Sequence, residues 1–94
     1  MKETPDILLI KNDASLKATI QLPKIFNKNE VILELGEDRL VLQSSVYFLD
    51  IFLHIDVSPD ECCATFHRDK HEMVVEMKME WILIFKDSHS LFYL

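Results

Sequence analysis

One glycine and three prolines in 94 residues leave little material for flexible linkers or disordered segments, which depend on those residue types. The lone glycine, Gly36, also excludes a glycine-rich phosphate loop, where several glycines let the backbone approach the ligand. Cysteine is equally scarce. Cys62 and Cys63 are adjacent, and a bridge between neighbours is strained, so two free thiols in a reducing compartment are expected. That expectation places the chain in the cytoplasm and nucleus. No run approaches the ~20 consecutive apolar residues of a helical membrane span. Nor does a basic stretch followed by an apolar one open the chain, so neither a membrane anchor nor a signal peptide is expected. Basic residues number ten against sixteen acidic, giving a net charge of −6. They are scattered singly, whereas phosphate binding needs clustered Lys and Arg, so nucleic acid is not an expected partner.

What the chain does contain is apolar material, 49% of its residues, enough for the core of one small domain. A chain of this length buries roughly 60–65% of the surface that its unfolded form exposes. The apolar residues alternate. Tyr47, Leu49, Ile51, Leu53, Ile55 and Val57 occupy every second position, and side chains alternate sides along a strand, so these six are predicted to line one buried face. At ~3.3 Å per residue the run spans about 36 Å, the length of a central wall in an antiparallel sandwich. Phe48, Asp50, Phe52, His54 and Asp56 then face outward.

Shorter runs surround it. Residues 7–10 read as a first strand, with Asn12 and Asp13 as turn formers. Leu16, Ala18, Ile20 and Leu22 alternate with Lys17, Thr19 and Gln21 in a second strand that Pro23 stops. Val31, Leu33 and Leu35 make a third. Residues 36–38 turn the chain into a returning strand over residues 39–42. Ser58 and Pro59 predict the end of the long strand and one helical turn, because serine caps and proline suits a first helical position. Residues 64–66 read as a short strand, residues 67–71 as a polar turn. Met73, Val75, Met77 and Met79 form another inward-facing strand. The count is about seven strands and no long helix: an all-β, seven-stranded antiparallel sandwich. The predicted core holds Leu49, Ile51, Leu53, Ile55, Val31, Leu33, Leu40, Ile20, Val75 and Met77.

Nothing in the chain is built for catalysis. Cys63, His67 and His71 have metal-ligand chemistry at three-residue gaps, but such groups converge on a helix and diverge along strand, turn and strand. No metal or other cofactor is expected. Cys62 or Cys63 with His54 or His67 would make a thiolate pair only across a cleft, and neither a nucleophile elbow nor a helix N-terminus is evident. The acidic pairs Glu37–Asp38 and Asp60–Glu61 sit in turns and are solvated. A binding domain without enzymatic activity is expected.

Several strings in family order carry a resemblance. They are the opening Thr4-Pro-Asp6 strand, Ala18-Thr-Ile-Gln-Leu-Pro23, Gly36-Glu-Asp-Arg-Leu-Val-Leu42 and Tyr47-Phe-Leu-Asp50. Ala64-Thr-Phe-His-Arg68 and Met73-Val-Val-Glu-Met77 follow. Residues 5–79 thereby resemble the C-terminal CS domain of the PIH (protein interacting with heat-shock protein 90) family. The resemblance implies a p23- and α-crystallin-like sandwich acting as a co-chaperone adaptor. In that family the domain engages a tetratricopeptide-repeat (TPR) partner. RuvB-like ATPases and heat-shock protein 90 join indirectly, in an assembly that matures ribonucleoproteins, RNA polymerases and phosphatidylinositol-3-kinase-like kinases. The alternative is a p23- or small-heat-shock-like domain that binds chaperone or client surfaces directly. Acidic tails mark p23-type proteins, whereas residues 80–94 are apolar, which favours the adaptor.

Three departures accompany the resemblance. The family's N-terminal phosphopeptide domain is missing, so the chain reads as an excised module. His54 stands where a proline is expected. The family pattern ends soon after Met77, so residues 80–94 form an apolar tail that either pairs as an extra strand, covers a groove, or is foreign sequence. Candidate partner-binding residues are Phe48 and Phe52 on a nominally polar face, with His54 beside them. Lys17, Thr19 and Gln21 are expected on a sheet edge, where an incoming strand can add hydrogen bonds. His67 and Arg68 belong to the polar turn.

Overall fold

The computed structural model describes residues 1–79. Seven strands form two antiparallel sheets. The larger has the order β1-β2-β7-β6, with β1 at Ile7–Lys11, β2 at Ser15–Gln21, β6 at Val57–His67 and β7 at Glu72–Met79. The smaller has the order β3-β4-β5, with β3 at Ile32–Leu35, β4 at Arg39–Gln43 and β5 at Phe48–Phe52. Among the described residues the one helical element is a 3₁₀ turn, Lys28–Glu30, opened by Asn27, whose side chain accepts the Asn29 N–H at 3.0 Å.

The core lies between the sheets. Leu16, Ala18 and Ile20 of β2 and Met73, Val75 and Met77 of β7 point inward from one side. Leu40 and Leu42 of β4 and Leu49 of β5 meet them from the other. Period-two alternation thus does what the pleat requires in β2, β4 and β7, which give one side to the core and the other towards water. Of the predicted core, Leu49, Leu53, Leu40, Ile20, Val75 and Met77 are buried, while Val31, Leu33, Ile51 and Ile55 are half-buried. Ile25 joins them unannounced, fully buried from within a loop. A tight turn in which the Ile25 N–H donates to the Leu22 carbonyl at 3.0 Å tucks it under β2.

The longest alternating run is not one strand. β5 ends at Phe52, and the chain bends at His54 (φ 63°) before β6 begins at Val57 in the other sheet. Two backbone bonds hold the crossing against the β3–β4 turn: Leu53 N–H to the Asp38 carbonyl (2.7 Å) and Val57 N–H to the Glu37 carbonyl (2.6 Å). The alternation nevertheless reports burial correctly at Tyr47, Leu49, Leu53 and Val57. Those residues face the same core from a chain that changes sheets, so an inward-facing pattern survives a bend. β5 and β6 are each an edge of their sheet, not a central wall.

Two further expectations are corrected. Ser58 and Pro59 start no helical turn; they lie in β6, where the register slips between Val57 and Cys62. Five steps on β6 there match two on β7, from Met79 to Met77, so the strand bulges. Proline is tolerated in a bulge on an edge strand, where its missing N–H is not needed by the ladder. Lys17, Thr19 and Gln21 are not on an edge, because β2 pairs with both β1 and β7. The expectations about residues 80–94 lie outside the described residues.

Candidate protein-interaction surface

The outer face of the smaller sheet carries exposed apolar side chains. The register sets Ile32, Gln43 and Phe48 side by side, then Glu34, Val41 and Asp50, then Arg39 and Phe52. Ile32 (63%), Phe48 (42%) and Phe52 (58%) are all exposed. Between the two phenylalanines, Asp50 Oδ1 accepts the Arg39 Nε–H at 2.7 Å. That hydrogen bond, with the Asp50 charge, holds the Arg39 guanidinium above its ordinary pKa. His54 lies edge-on to the Phe52 ring, with centroids 4.5 Å apart and planes at 67°. The bend that moves the chain between sheets therefore also extends the aromatic patch.

The free margin of β5 adjoins this face. Glu3 makes a parallel bridge with Tyr47, its N–H donating to the Val46 carbonyl (2.8 Å) and its carbonyl accepting the Phe48 N–H (2.9 Å). Lys24 Nζ pairs with the Glu3 carboxylate, which raises the Lys24 pKa. Beyond Phe48, no described strand pairs with the outer margin of β5. Asp50 and Phe52 thus sit where an incoming strand would find backbone donors and acceptors.

The other predicted residues are elsewhere. Lys17, Thr19 and Gln21 stand on the outer face of the larger sheet, and Gln21 Nε2 donates to Glu72 Oε2 at 2.9 Å. Leu8 and Ile10 of β1 are exposed beside Thr19 and Lys17. His67 ends β6 half-buried, and Arg68 opens the turn into β7. Phe48, Phe52 and His54 are brought together; the remaining five are not. Arg68 instead joins Phe26, Asn27, Lys28 and Phe66 around a second cleft. Sequence reasoning missed Phe26, Lys28 and Phe66, because that cleft forms between segments about forty residues apart and no periodicity marks it.

The cysteines point to opposite sides of β6. Cys62 opposes Met77 on the core side, half-buried, and donates to the Ser58 carbonyl at 3.0 Å. Burial pushes its thiol pKa up. Cys63 is exposed. His67 follows it on the same strand face at a distance of about 13 Å, given ~3.3 Å per residue, and the His71 Nδ1 lies 2.8 Å from the Ile25 carbonyl. No group of three metal-ligating side chains occurs among the described residues.

The sequence profile of the PIH1 CS-like domain matches residues 10–80. The chain belongs to that family. PIH1 domain-containing protein 1 of Xenopus laevis is 38% identical over 69 residues, covering 71% of this chain and 23% of its own length. The protein of the same name from Homo sapiens is 33% identical over 79 residues, covering 82% and 24%. The chain therefore spans about a quarter of the length of these relatives. Among solved structures, heat shock protein 16.0 from Schizosaccharomyces pombe has a similar fold, with a TM-score of 0.67 over 83% of this chain and 88% of its own, at 14% identity. The fold is that of the small-heat-shock and CS sandwiches. The family is a co-chaperone-related interaction type and not a known enzyme class.

Proposed function

We propose that this chain is a non-enzymatic adaptor module that binds an extended peptide of a TPR co-chaperone. It would act within the RuvB-like ATPase and heat-shock protein 90 assembly, in the cytoplasm and nucleus. The observation that carries the reading is the pairing of Phe48 and Phe52, exposed on an edge strand, with a strand margin that no described strand covers below Phe48. An added strand would satisfy that margin, and its alternate side chains would lie over the aromatic patch. Family membership supports a protein partner. Aromatic residues are also enriched in interface cores, where they give large contact area.

The test is calorimetric titration of the full chain with C-terminal segments of TPR co-chaperones. A segment that binds wild type should bind Phe52→Glu about fivefold or more weakly, since central aromatic anchors contribute over about 1 kcal/mol. Lys17→Glu, on the outer face of the other sheet, should bind as wild type does. If no TPR segment binds, the adaptor reading is wrong.

A further inference from the structure

We propose that the cleft between the 26–28 loop and the end of β6 is a separate docking site, taking an apolar side chain flanked by carboxylates from an acidic partner segment. The inference rests on the interaction-module reading and adds to it the chemistry of the partner and a second point of contact.

The cleft measures about 190 Å³ and is lined by Phe26, Asn27, Lys28, Phe66 and Arg68. Ligand sites for cofactors and similar molecules run from about 300 to 1,000 Å³, so this one suits a single anchoring side chain of a longer partner. Its two aromatic walls, Phe26 and Phe66, are held in place. Phe26 is 62% exposed, yet its position is fixed from three directions. Its N–H donates to Glu30 Oε2 at 3.2 Å. Its ring meets His71 edge-on at 5.1 Å and 89°. Its neighbour Ile25 is fully buried. Phe66 faces Met73 across the β6–β7 pair and packs half-buried against the core. A wall that is already ordered loses little side-chain freedom on binding.

Charge selects the partner. Lys28 and Arg68 flank the cleft and make no ion pair among the described residues, whereas Lys24, Arg39 and Lys78 each pair with a carboxylate. The acidic residues of these two segments, Glu30 and Asp69, line no part of the cleft. On a chain of net charge −6, most of the surface repels an acidic segment, and two unpaired cations beside two phenylalanines attract one. Carboxylates fit the guanidinium of Arg68, and an aliphatic or aromatic side chain fits between the rings.

The test is a heteronuclear NMR titration of the full chain with three capped heptapeptides of unrelated design. The first has a central leucine flanked by aspartate and glutamate; the second keeps the leucine with lysine flanks; the third keeps the acids with a central serine. The acidic leucine peptide should shift the amides of Phe26, Lys28, Phe66 and Arg68 and bind more tightly than either control. Arg68→Ala and Lys28→Ala should each weaken it by up to about fivefold, the range of exposed ion pairs, and 0.5 M salt should do the same to wild type. Phe26→Ala, at an exposed position, should weaken it without loss of fold. Equal shifts with all three peptides, or shifts confined to Phe48 and Phe52, would overturn the proposal. Suppose a TPR segment binds wild type and Arg68→Ala equally, and the acidic leucine peptide leaves the cleft unshifted. The docking site then falls while the adaptor reading stands. If no TPR segment binds but the acidic peptide shifts the cleft, the reverse holds.

Discussion

At the scale of the residue, position relative to the two sheets decides consequence more than residue type does. Leu42 is fully buried and Ile51 half-buried, although both alternate inward on neighbouring strands. Leu42→Ala should lose about 2–5 kcal/mol in urea unfolding through lost burial and cavity formation, and Ile51→Ala distinctly less. Gly36 offers the opposite case. It adopts no positive φ, and a methyl group there would meet the Arg39 carbonyl at 3.9 Å, an ordinary contact. Gly36→Ala should therefore hold or raise stability, by up to about 1 kcal/mol, because it restricts the unfolded chain. The cysteines separate by side. At pH 8 iodoacetamide should modify exposed Cys63 before Cys62, whose burial lifts its pKa and leaves less thiolate. Peptide mapping of the first adduct checks this, and modification of Cys62 first would contradict the strand placement.

At the scale of the element, the crossing between β5 and β6 is the distinctive device of this chain. His54 occupies the left-handed region at φ 63°, which costs a non-glycine residue about 1–2 kcal/mol. Proline, the residue that the family resemblance leads one to expect there, fixes φ near −65° and cannot take this conformation. His54→Pro should thus destabilise by more than about 1 kcal/mol. His54→Gly should be close to neutral, relieving the backbone while losing the ring contact with Phe52. A thermal melt of the three proteins distinguishes these outcomes. A stable His54→Pro variant would mean that the bend is built differently.

At the scale of the whole molecule, stability should be graded from the middle of the larger sheet outward. β2 and β7 each have a neighbour on both sides and carry Ala18, Ile20, Val75 and Met77 in the core. Their amides should exchange most slowly with deuterium. Those of β1, where Leu8, Leu9 and Ile10 are all exposed, should exchange among the fastest of the strands. The larger sheet has four strands and the smaller three, so the core cannot cover both margins of the larger one.

Most strands were legible in the sequence because burial on one side of a pleat writes itself as alternation, and turns write themselves as Asn12, Asp13, Pro23 and Gly36. β6 was not, since its bulge breaks the alternation and, past Val57, only residues 64–66 of Val57–His67 read as strand. Leu16 to Leu22, Leu40, Leu42 and Met73 to Met79 needed nothing more. The aromatic patch was legible for the same reason, since Phe48 and Phe52 break an outward polar pattern. Tertiary structure alone decided which strands became edges, because pairing partners are chosen across the chain and not by local pattern. That is why Lys17, Thr19 and Gln21 proved internal to their sheet and why one alternating run became two strands in two sheets. The cleft of Phe26, Lys28, Phe66 and Arg68 belongs to the same class, since only the folded chain brings a loop before β3 against the end of β6.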